Sequence, residues 1–134
     1  MFNIEKSITF DAAHRLMNHK GKCRFIHGHT YTITLGLKGE SLDPLDILVD
    51  FSDISKYVKD YIDSFIDHGI ILNIKDKIWS DIMRNTNQKF YEIVGNPTAE
   101  KLAEHFYIIF KPKFPELSYV KVKETPTSEA TYGA

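Results

Sequence analysis

Cysteine, excess positive charge and long apolar runs are the features this sequence has least of. Its one cysteine, Cys23, cannot form an internal disulfide, and a lone thiol is typical of a reducing compartment. With 17 basic against 18 acidic residues, the net charge of −1 gives no sign of a nucleic-acid or anionic-membrane partner. No apolar run approaches a membrane span, and the first residues carry no secretion signal. The sequence therefore predicts a cytoplasmic protein that binds neither nucleic acid nor membrane.

What the chain does contain is enough apolar material for one core. Hydrophobic residues make up 43% of its 134 positions and charged residues 26%, which is the composition of a globular protein. No repeat, low-complexity stretch or linker interrupts it. We therefore expect a single domain over residues 1–134.

Three histidines are positioned where two predicted strands could bring them together. Strand side chains repeat every two residues, so His27 and His29 can point to the same side, in line with the apolar Tyr31. His14 lies two pleats beyond Phe10 and can face the same interior if that strand continues. The H-x-H alone fits a hydrogen-bonded pair as well as a metal site. A third histidine favours zinc with an open fourth position, which is typical of a catalytic metal.

Two stretches have the periodicity of amphipathic helices. The first is capped near Asp50, ends at Asp67 and His68, and repeats apolar residues at helical spacing: Ile54, Tyr57, Val58, Tyr61, Ile62, Phe65 and Ile66. The second is predicted to begin with Asn96 as cap and Pro97 at the first helical position. Within it, His105 is assigned to the outer face. Residues 75–95 carry no clear motif, although 78–83 could form a short helix and 90–94 a small strand.

The chain returns to strand near its end, where Val120, Val122 and Glu124 share one face. Because an unpaired carboxylate on an apolar face is costly, Glu124 must meet a cation or be kept for a ligand with N–H donors. The element order ββ-α-(α)-α-ββ predicts an α+β fold: a four-stranded antiparallel sheet with two main helices on one face.

Five separated stretches, closed by a sixth, together resemble the 6-pyruvoyl-tetrahydropterin and 6-carboxy-tetrahydropterin synthase family. They are Phe10-Asp-Ala-Ala-His14-Arg-Leu, Cys23-x3-His27-Gly-His29-x-Tyr31, Val49-Asp50-Phe51, Asp67-His68 with Leu72-Asn73, Asn96-Pro-Thr-Ala-Glu100 and Glu124-Thr-Pro-Thr-Ser128. In order and spacing they span nearly the whole chain. The resemblance implies a tunnelling fold (T-fold), in which sheets pair edge to edge into a trimeric barrel and two trimers stack into a homohexamer. It also implies active sites that lie between subunits.

The resemblance further implies a role for each motif residue. His14, His27 and His29 are expected to bind Zn²⁺. Cys23 is expected to be the catalytic thiol, with Asp67 and His68 as the pair that activates it and relays protons. Glu124 is expected to anchor the pterin through its two carboxylate oxygens, and Thr98 to add a polar contact to the ring.

The substrate implied is 7,8-dihydroneopterin triphosphate, and two branches of the family process it differently. Three residues separate Cys23 from His27, which resembles the 6-carboxy-tetrahydropterin synthases of the queuosine and 7-deazapurine pathway. The alternatives are a 6-pyruvoyl-tetrahydropterin synthase and a zinc- and pterin-binding homologue without turnover. Arg15, Lys20 and Lys22 are near enough in sequence to be considered for the triphosphate, although a solvated loop is the better explanation of them.

Overall fold

The computed structural model describes residues 1–133 and contains six strands and three α-helices in that range. The strands are β1 (Phe2–His14), β2 (His27–Gly39), β3 (Ile70–Asn73), β4 (Phe90–Ile93), β5 (Leu117–Thr125) and β6 (Ser128–Gly133). The helices are α1 (Phe51–Phe65), α2 (Lys77–Asn85) and α3 (Ala99–Phe110). None of these helices is long and apolar enough to cross a membrane.

All six strands join one sheet in the order β4-β3-β1-β2-β5-β6. The four strands β1, β2, β5 and β6 pair antiparallel, as the sequence predicts. The predicted total of four strands is wrong, because β3 pairs parallel to β1, and β4 parallel to β3. Each added strand has only four residues, and β3 is buried at every position, so neither shows the alternation that identifies a half-buried strand. The α+β class is confirmed.

One face of the sheet and two helices enclose the core. Alternate residues of β2 are fully buried from Tyr31 to Leu37, and α1 and α3 cover them with apolar stripes. The stripes consist of Ile54, Val58 and Ile62 on α1 and of Leu102, Ala103, Phe106 and Phe110 on α3. The opposite face of the sheet is polar, and Ser7 and Thr34 hydrogen-bond across β1 and β2 there at 2.7 Å. His14, His27 and His29 therefore extend the core side of the sheet.

Helix α3 begins two residues later than the sequence predicts. Thr98 is its cap, and the Thr98 hydroxyl oxygen accepts from the Lys101 amide at 3.1 Å. Asn96 instead binds the loop after β1: its side chain accepts from the Met17 amide and donates to the Met17 carbonyl, both at 3.0 Å. The Asn96 side chain thus joins the start of α3 to the loop after β1, because it satisfies both backbone groups of Met17 instead of capping the helix.

The assignment of His105 to the outer face of α3 is also wrong. The ring is half-buried, and its Nε2 lies 2.5 Å from the hydroxyl of Tyr91 on β4. Tyr91 in turn hydrogen-bonds the hydroxyl of Tyr61 on α1. Three elements are therefore joined by a polar chain, and burial lowers the pKa of His105.

Candidate metal centre and active site

Three imidazoles converge where β1 ends and β2 begins. The antiparallel register places His14 directly opposite His27 and Ala12 opposite His29. One ligating nitrogen from each ring lies within 4.8 Å of the others, and no other cluster of three or more potential ligands is present in residues 1–133. His14 is 2% exposed, whereas His27 and His29 are partly open to solvent. The predicted three-histidine centre therefore exists as a geometric cluster.

Hydrogen bonds fix the tautomers of two rings. His14 Nδ1 lies 2.8 Å from the Pro97 carbonyl, and His27 Nδ1 lies 2.8 Å from the Phe25 carbonyl. A carbonyl only accepts, so both Nδ1 atoms carry the proton and donate it. Each neutral ring then has a lone pair on Nε2, and the two Nε2 atoms lie 3.0 Å apart. Two lone pairs at this distance repel unless a cation lies between them.

A divalent metal ion fits the space between these nitrogens. Burial, together with the neighbouring His27 and His29, lowers the pKa of His14 to about 4, so its ring is neutral at physiological pH. Burial and His27 also lower the pKa of His29. Zinc–nitrogen bonds of about 2.0–2.1 Å in tetrahedral geometry put ligand nitrogens roughly 3.3 Å apart, close to the spacing of the two Nε2 atoms. The donor set thus fits a borderline-soft divalent ion with an open coordination position.

Asp67 and His68 form a hydrogen-bonded pair on the turn between α1 and β3. Asp67 Oδ2 lies 2.7 Å from His68 Nδ1, and Asp67 Oδ1 accepts from the Asp11 amide at 3.0 Å. Burial of Asp67 opposes its charged form, but the hydrogen bonds from Asp11 and His68 outweigh it and lower the pKa of this carboxyl. His68 adopts a φ of 62°, a left-handed conformation that costs a non-glycine residue roughly 1–2 kcal/mol. Its side chain is 77% exposed, so the ring is free to meet another molecule.

His68 and His29 both line one open cavity. An open pocket of about 460 Å³ is lined by His29 from the cluster and by His68 from the turn, with Asp11 and Thr30 between them. Gly28 and Gly69 leave its wall without side chains at two points. The turn that carries His68 and one residue of the histidine cluster therefore border one space.

Cys23 lies in a short 3-10 turn, Lys22–Arg24, just before β2. Its side chain is half-buried and unoxidised, and its carbonyl accepts from the Leu16 amide at 2.8 Å. In the part of the chain that the structure describes, no hydrogen bond joins the thiol to Asp67 or His68. One chain thus does not pair the predicted nucleophile with its predicted partner.

Glu124 is the penultimate residue of β5, and it is partly buried beside Tyr31 on the core face. Burial and the nearby charge of Glu100 raise the pKa of Glu124, whereas His27 opposes them. Next to it, the Tyr31 hydroxyl is buried without a hydrogen-bond partner in the described residues, and the charge of Glu124 adds to burial in raising the Tyr31 pKa. Sequence periodicity identifies Glu124 but gives no sign of Glu100 or of the Tyr31 hydroxyl. These polar groups are suited to a polar ligand.

The remaining candidates have structural roles in this chain. Thr98 uses its hydroxyl oxygen to cap α3, which leaves its O–H free to donate. Arg15 pairs with the 3% exposed Asp76 at 2.5 Å, so its guanidinium is occupied and the idea that it binds triphosphate is not supported. Asp76 lies in the segment that shows no readable motif, and so this pair could not be predicted.

Comparison with known proteins agrees with the fold. A model of the 6-pyruvoyl tetrahydropterin synthase family matches residues 3–134. The 6-carboxy-5,6,7,8-tetrahydropterin synthase of Rickettsia bellii is 36% identical, over 94% of this chain and 96% of its own. That of Haemophilus influenzae is 33% identical, over 98% of this chain and 99% of its own. The 6-pyruvoyl tetrahydropterin synthase structure from Caenorhabditis elegans aligns with a TM-score of 0.72 at 25% identity, covering 99% of this chain and 95% of that one. The structure of an uncharacterised Wolinella succinogenes protein aligns with a TM-score of 0.85 at 21% identity, covering 98% of this chain and 97% of that one.

The fold and the site together define a T-fold enzyme of the pterin synthases, which are lyases. The chain belongs to the 6-pyruvoyl tetrahydropterin synthase family.

Acid is expected to destabilise the zinc-free protein through His14. The folded pKa of about 4 lies below the value of 6.5 for a free histidine, so only the unfolded chain gains this proton between those pH values. The stability linked to His14 is present above pH 6.5 and lost as pH falls towards 4, by about 3 kcal/mol in all. Urea unfolding of chelator-treated protein at pH 7.5 and 4.5 measures the loss. His14→Gln should reduce it and the exposed His19→Gln should not; an equal loss in all three proteins contradicts the prediction.

Proposed function

We propose that this protein is a zinc-dependent 6-carboxy-5,6,7,8-tetrahydropterin synthase. Its substrate is 7,8-dihydroneopterin triphosphate, which it converts with one molecule of water to 6-carboxy-tetrahydropterin, releasing triphosphate and acetaldehyde in the queuosine and 7-deazapurine precursor pathway. The observation that carries the proposal is the three-histidine cluster, in which one ligating nitrogen from each ring lies within 4.8 Å of the others. Two observations support the carboxy branch: the relatives from Rickettsia bellii and Haemophilus influenzae are 6-carboxy-5,6,7,8-tetrahydropterin synthases, and three residues separate Cys23 from His27.

His14, His27 and His29 hold the metal through one nitrogen each. When bound there, zinc lowers the pKa of the side-chain hydroxyls of the substrate and stabilises negative charge on their oxygens. The carbonyls of Pro97 and Phe25 keep two of the rings in the tautomer that presents Nε2 to the metal. The chain thereby sets the ligand geometry before any metal binds.

Proton transfer is the work of Cys23 and His68. Cys23 as thiolate removes a proton from the substrate side chain, and a nearby imidazolium or metal favours the thiolate. His68 accepts or returns a proton at Nε2, while Asp67 accepts from Nδ1–H and so holds the tautomer that leaves Nε2 available. Because Cys23 does not contact His68 within one chain, we assign the two residues of each site to different subunits.

Glu124 anchors the pterin ring. Its carboxylate accepts from the ring N3–H and the 2-amino group, and this pair of charge-assisted hydrogen bonds selects the pterin edge. The Thr98 O–H, still free as a donor, adds a polar contact. Because Glu124 is partly buried, a carboxylate left there without hydrogen-bond donors costs free energy. This cost strengthens the preference of the site for a ligand with N–H donors.

Sharing of the site requires an oligomer, and we propose a homohexamer made of two trimers. The edge strands β4 and β6 have no partner on their outer sides in the single chain. Unpaired strand edges favour association, and pairing them between subunits would close the sheets into a barrel. A second candidate function is 6-pyruvoyl-tetrahydropterin synthesis from the same substrate, which the matching family description favours.

Product analysis tests the function directly. We expect the purified, zinc-loaded protein to convert 7,8-dihydroneopterin triphosphate to 6-carboxy-tetrahydropterin and acetaldehyde, both identified by mass spectrometry. The His29→Ala protein, which lacks one ligand of the centre, serves as control and should bind no zinc. Formation of 6-pyruvoyl-tetrahydropterin alone would move the protein to the second candidate function. Zinc and pterin binding without turnover would contradict both.

Subunit sharing predicts that two inactive variants restore each other. Cys23→Ala and His68→Ala should each lower kcat by roughly a hundredfold or more, because a proton-transfer group is lost, while zinc content stays unchanged. Co-expressed in one oligomer, the two variants should regain measurable activity, since some sites combine an intact Cys23 with an intact His68. Separately purified variants assayed at the same total concentration are the control. Mixed oligomers as inactive as their parents would show that both residues act within one chain.

The anchor role predicts a specific loss of pterin affinity in Glu124→Gln. Replacing one carboxylate oxygen by an amide N–H removes the charge and one acceptor, which should raise the Kd for neopterin roughly tenfold to a hundredfold. Isothermal titration at pH 7.5 measures the Kd, and metal analysis should find full zinc. The exposed Glu129→Gln on β6 is the matched control. Equal affinities for the two variants would refute the anchor assignment.

A further inference from the structure

Lys89 reaches the turn that carries His68, although it lies outside every motif of the sequence. It directly precedes β4, and its Nζ donates to the Asp67 carbonyl at 2.6 Å and to the Asp63 carbonyl at 2.8 Å. One ammonium group therefore links the last turn of α1 to the peptide that joins Asp67 to His68.

The Asp63 carbonyl needs such a donor because the helix ends irregularly there. In a continued α-helix, the Asp67 amide would donate to Asp63, but here it donates to the Ile62 carbonyl at 2.8 Å. Carbonyls in the last turn of a helix lack intrahelical partners, and the negative end of the helix dipole favours a cation. Lys89 supplies both the hydrogen bond and the positive charge.

The Asp67 carbonyl matters because it belongs to the peptide group that directly precedes His68, the residue in the left-handed conformation. The φ of His68 is 62°, and rotation of the preceding peptide would let His68 relax towards an ordinary conformation and turn its ring. From one side, β1 holds this turn: the Asp11 carbonyl accepts from the His68 amide at 2.7 Å, and the Asp11 amide donates to the Asp67 side chain. Lys89 is the contact that holds the peptide carbonyl itself.

The backbone of Lys89 also bonds the chain directly after the turn. Its carbonyl accepts from the Ile70 amide at 3.2 Å. A Cβ at Gly69 would lie 3.0 Å from that carbonyl and 3.1 Å from Lys89 Cγ, so the turn passes Lys89 in close contact. The lysine therefore packs against the turn through its backbone and its stem, and it bonds the turn through its ammonium group.

We propose that Lys89 is a positioning residue that holds the Asp67/His68 turn in its left-handed conformation and so aims His68 into the cavity bordered by His29. The effect on turnover rests on the proposed function, in which His68 transfers a proton. The effect on the turn does not depend on that function and is measured separately.

The test compares Lys89→Met, which keeps the aliphatic stem but no donor, with Lys89→Arg, which can still donate to two carbonyls. Lys59→Met, at an exposed position on α1, is the matched control. For each protein we would determine kcat, KM and zinc content with 7,8-dihydroneopterin triphosphate. A crystal structure of each gives the φ of His68 and the distance between His68 Nδ1 and Asp67 Oδ2.

We expect Lys89→Met to lower kcat roughly tenfold to a hundredfold, with KM within about twofold and zinc unchanged, because a displaced proton carrier slows chemistry more than binding. Its crystal structure should show His68 outside the left-handed region or parted from Asp67. Lys89→Arg should retain most of the rate and the native turn, and Lys59→Met should match wild type. If Lys89→Met does not fold, Lys89→Gln, which keeps one donor, is judged by the same measurements.

Three results would overturn the proposal: a native His68 conformation in Lys89→Met, an unchanged kcat despite a displaced ring, or a loss in Lys89→Arg as large as in Lys89→Met. If the wild-type protein does not turn over the substrate, the proposed function fails alone. The His68 geometry of the variants then still decides whether Lys89 holds the turn.

Discussion

The pairing of β1 with β2 is the constraint on which the site depends. Thirteen residue pairs in unbroken antiparallel register, from Phe2 opposite Gly39 to His14 opposite His27, bring three imidazoles to one end of the core face. A slip of one residue would turn the side chains of one strand to the opposite face and separate the nitrogens. The register is protected by the buried residues of β2, above all Tyr31 and Ile33, which cannot move to the polar face without exposing apolar area. Core packing and metal geometry are thus set by the same interaction.

The site also concentrates polar groups that a stable core would avoid. His14 is buried beside two other imidazoles, Glu124 lies partly buried near Glu100, and the Tyr31 hydroxyl has no partner among residues 1–133. Each of these groups costs free energy when it is left uncompensated. The cost is concentrated at one end of the sheet, whereas buried polar side chains elsewhere, such as Asp76 and Ser80, have hydrogen-bond partners. Such a local departure from good packing is expected where a ligand and a metal complete the polar contacts.

Much of this arrangement is predictable from the sequence, and the exceptions have a common physical cause. Alternation along β1 and β2 and the helical periodicity of α1 and α3 are local patterns, so they indicate those elements and place the histidines on one face. The parallel strand β3 shows no alternation, and β4, which pairs with it, has only four residues. Both strands therefore carry too little local pattern to be identified, and their formation depends on contacts between distant parts of the chain. The same holds for the Arg15–Asp76 ion pair and for Asn96, whose partner is the Met17 backbone. Side-chain bonds to distant backbone groups leave no periodic signal.

The residues of the site therefore differ in how firmly the structure holds them. The histidine cluster is built by long strands whose pairing is stabilised along its whole length. His68 instead stands on a turn in a strained conformation that is held by a few bonds from Asp11 and Lys89. Changes in the edge of the sheet at β4 should therefore reach His68, because Lys89 adjoins that strand, while they leave the three-histidine cluster in place. The sequence segment with the weakest local signal thus supports the geometry of a residue proposed for catalysis.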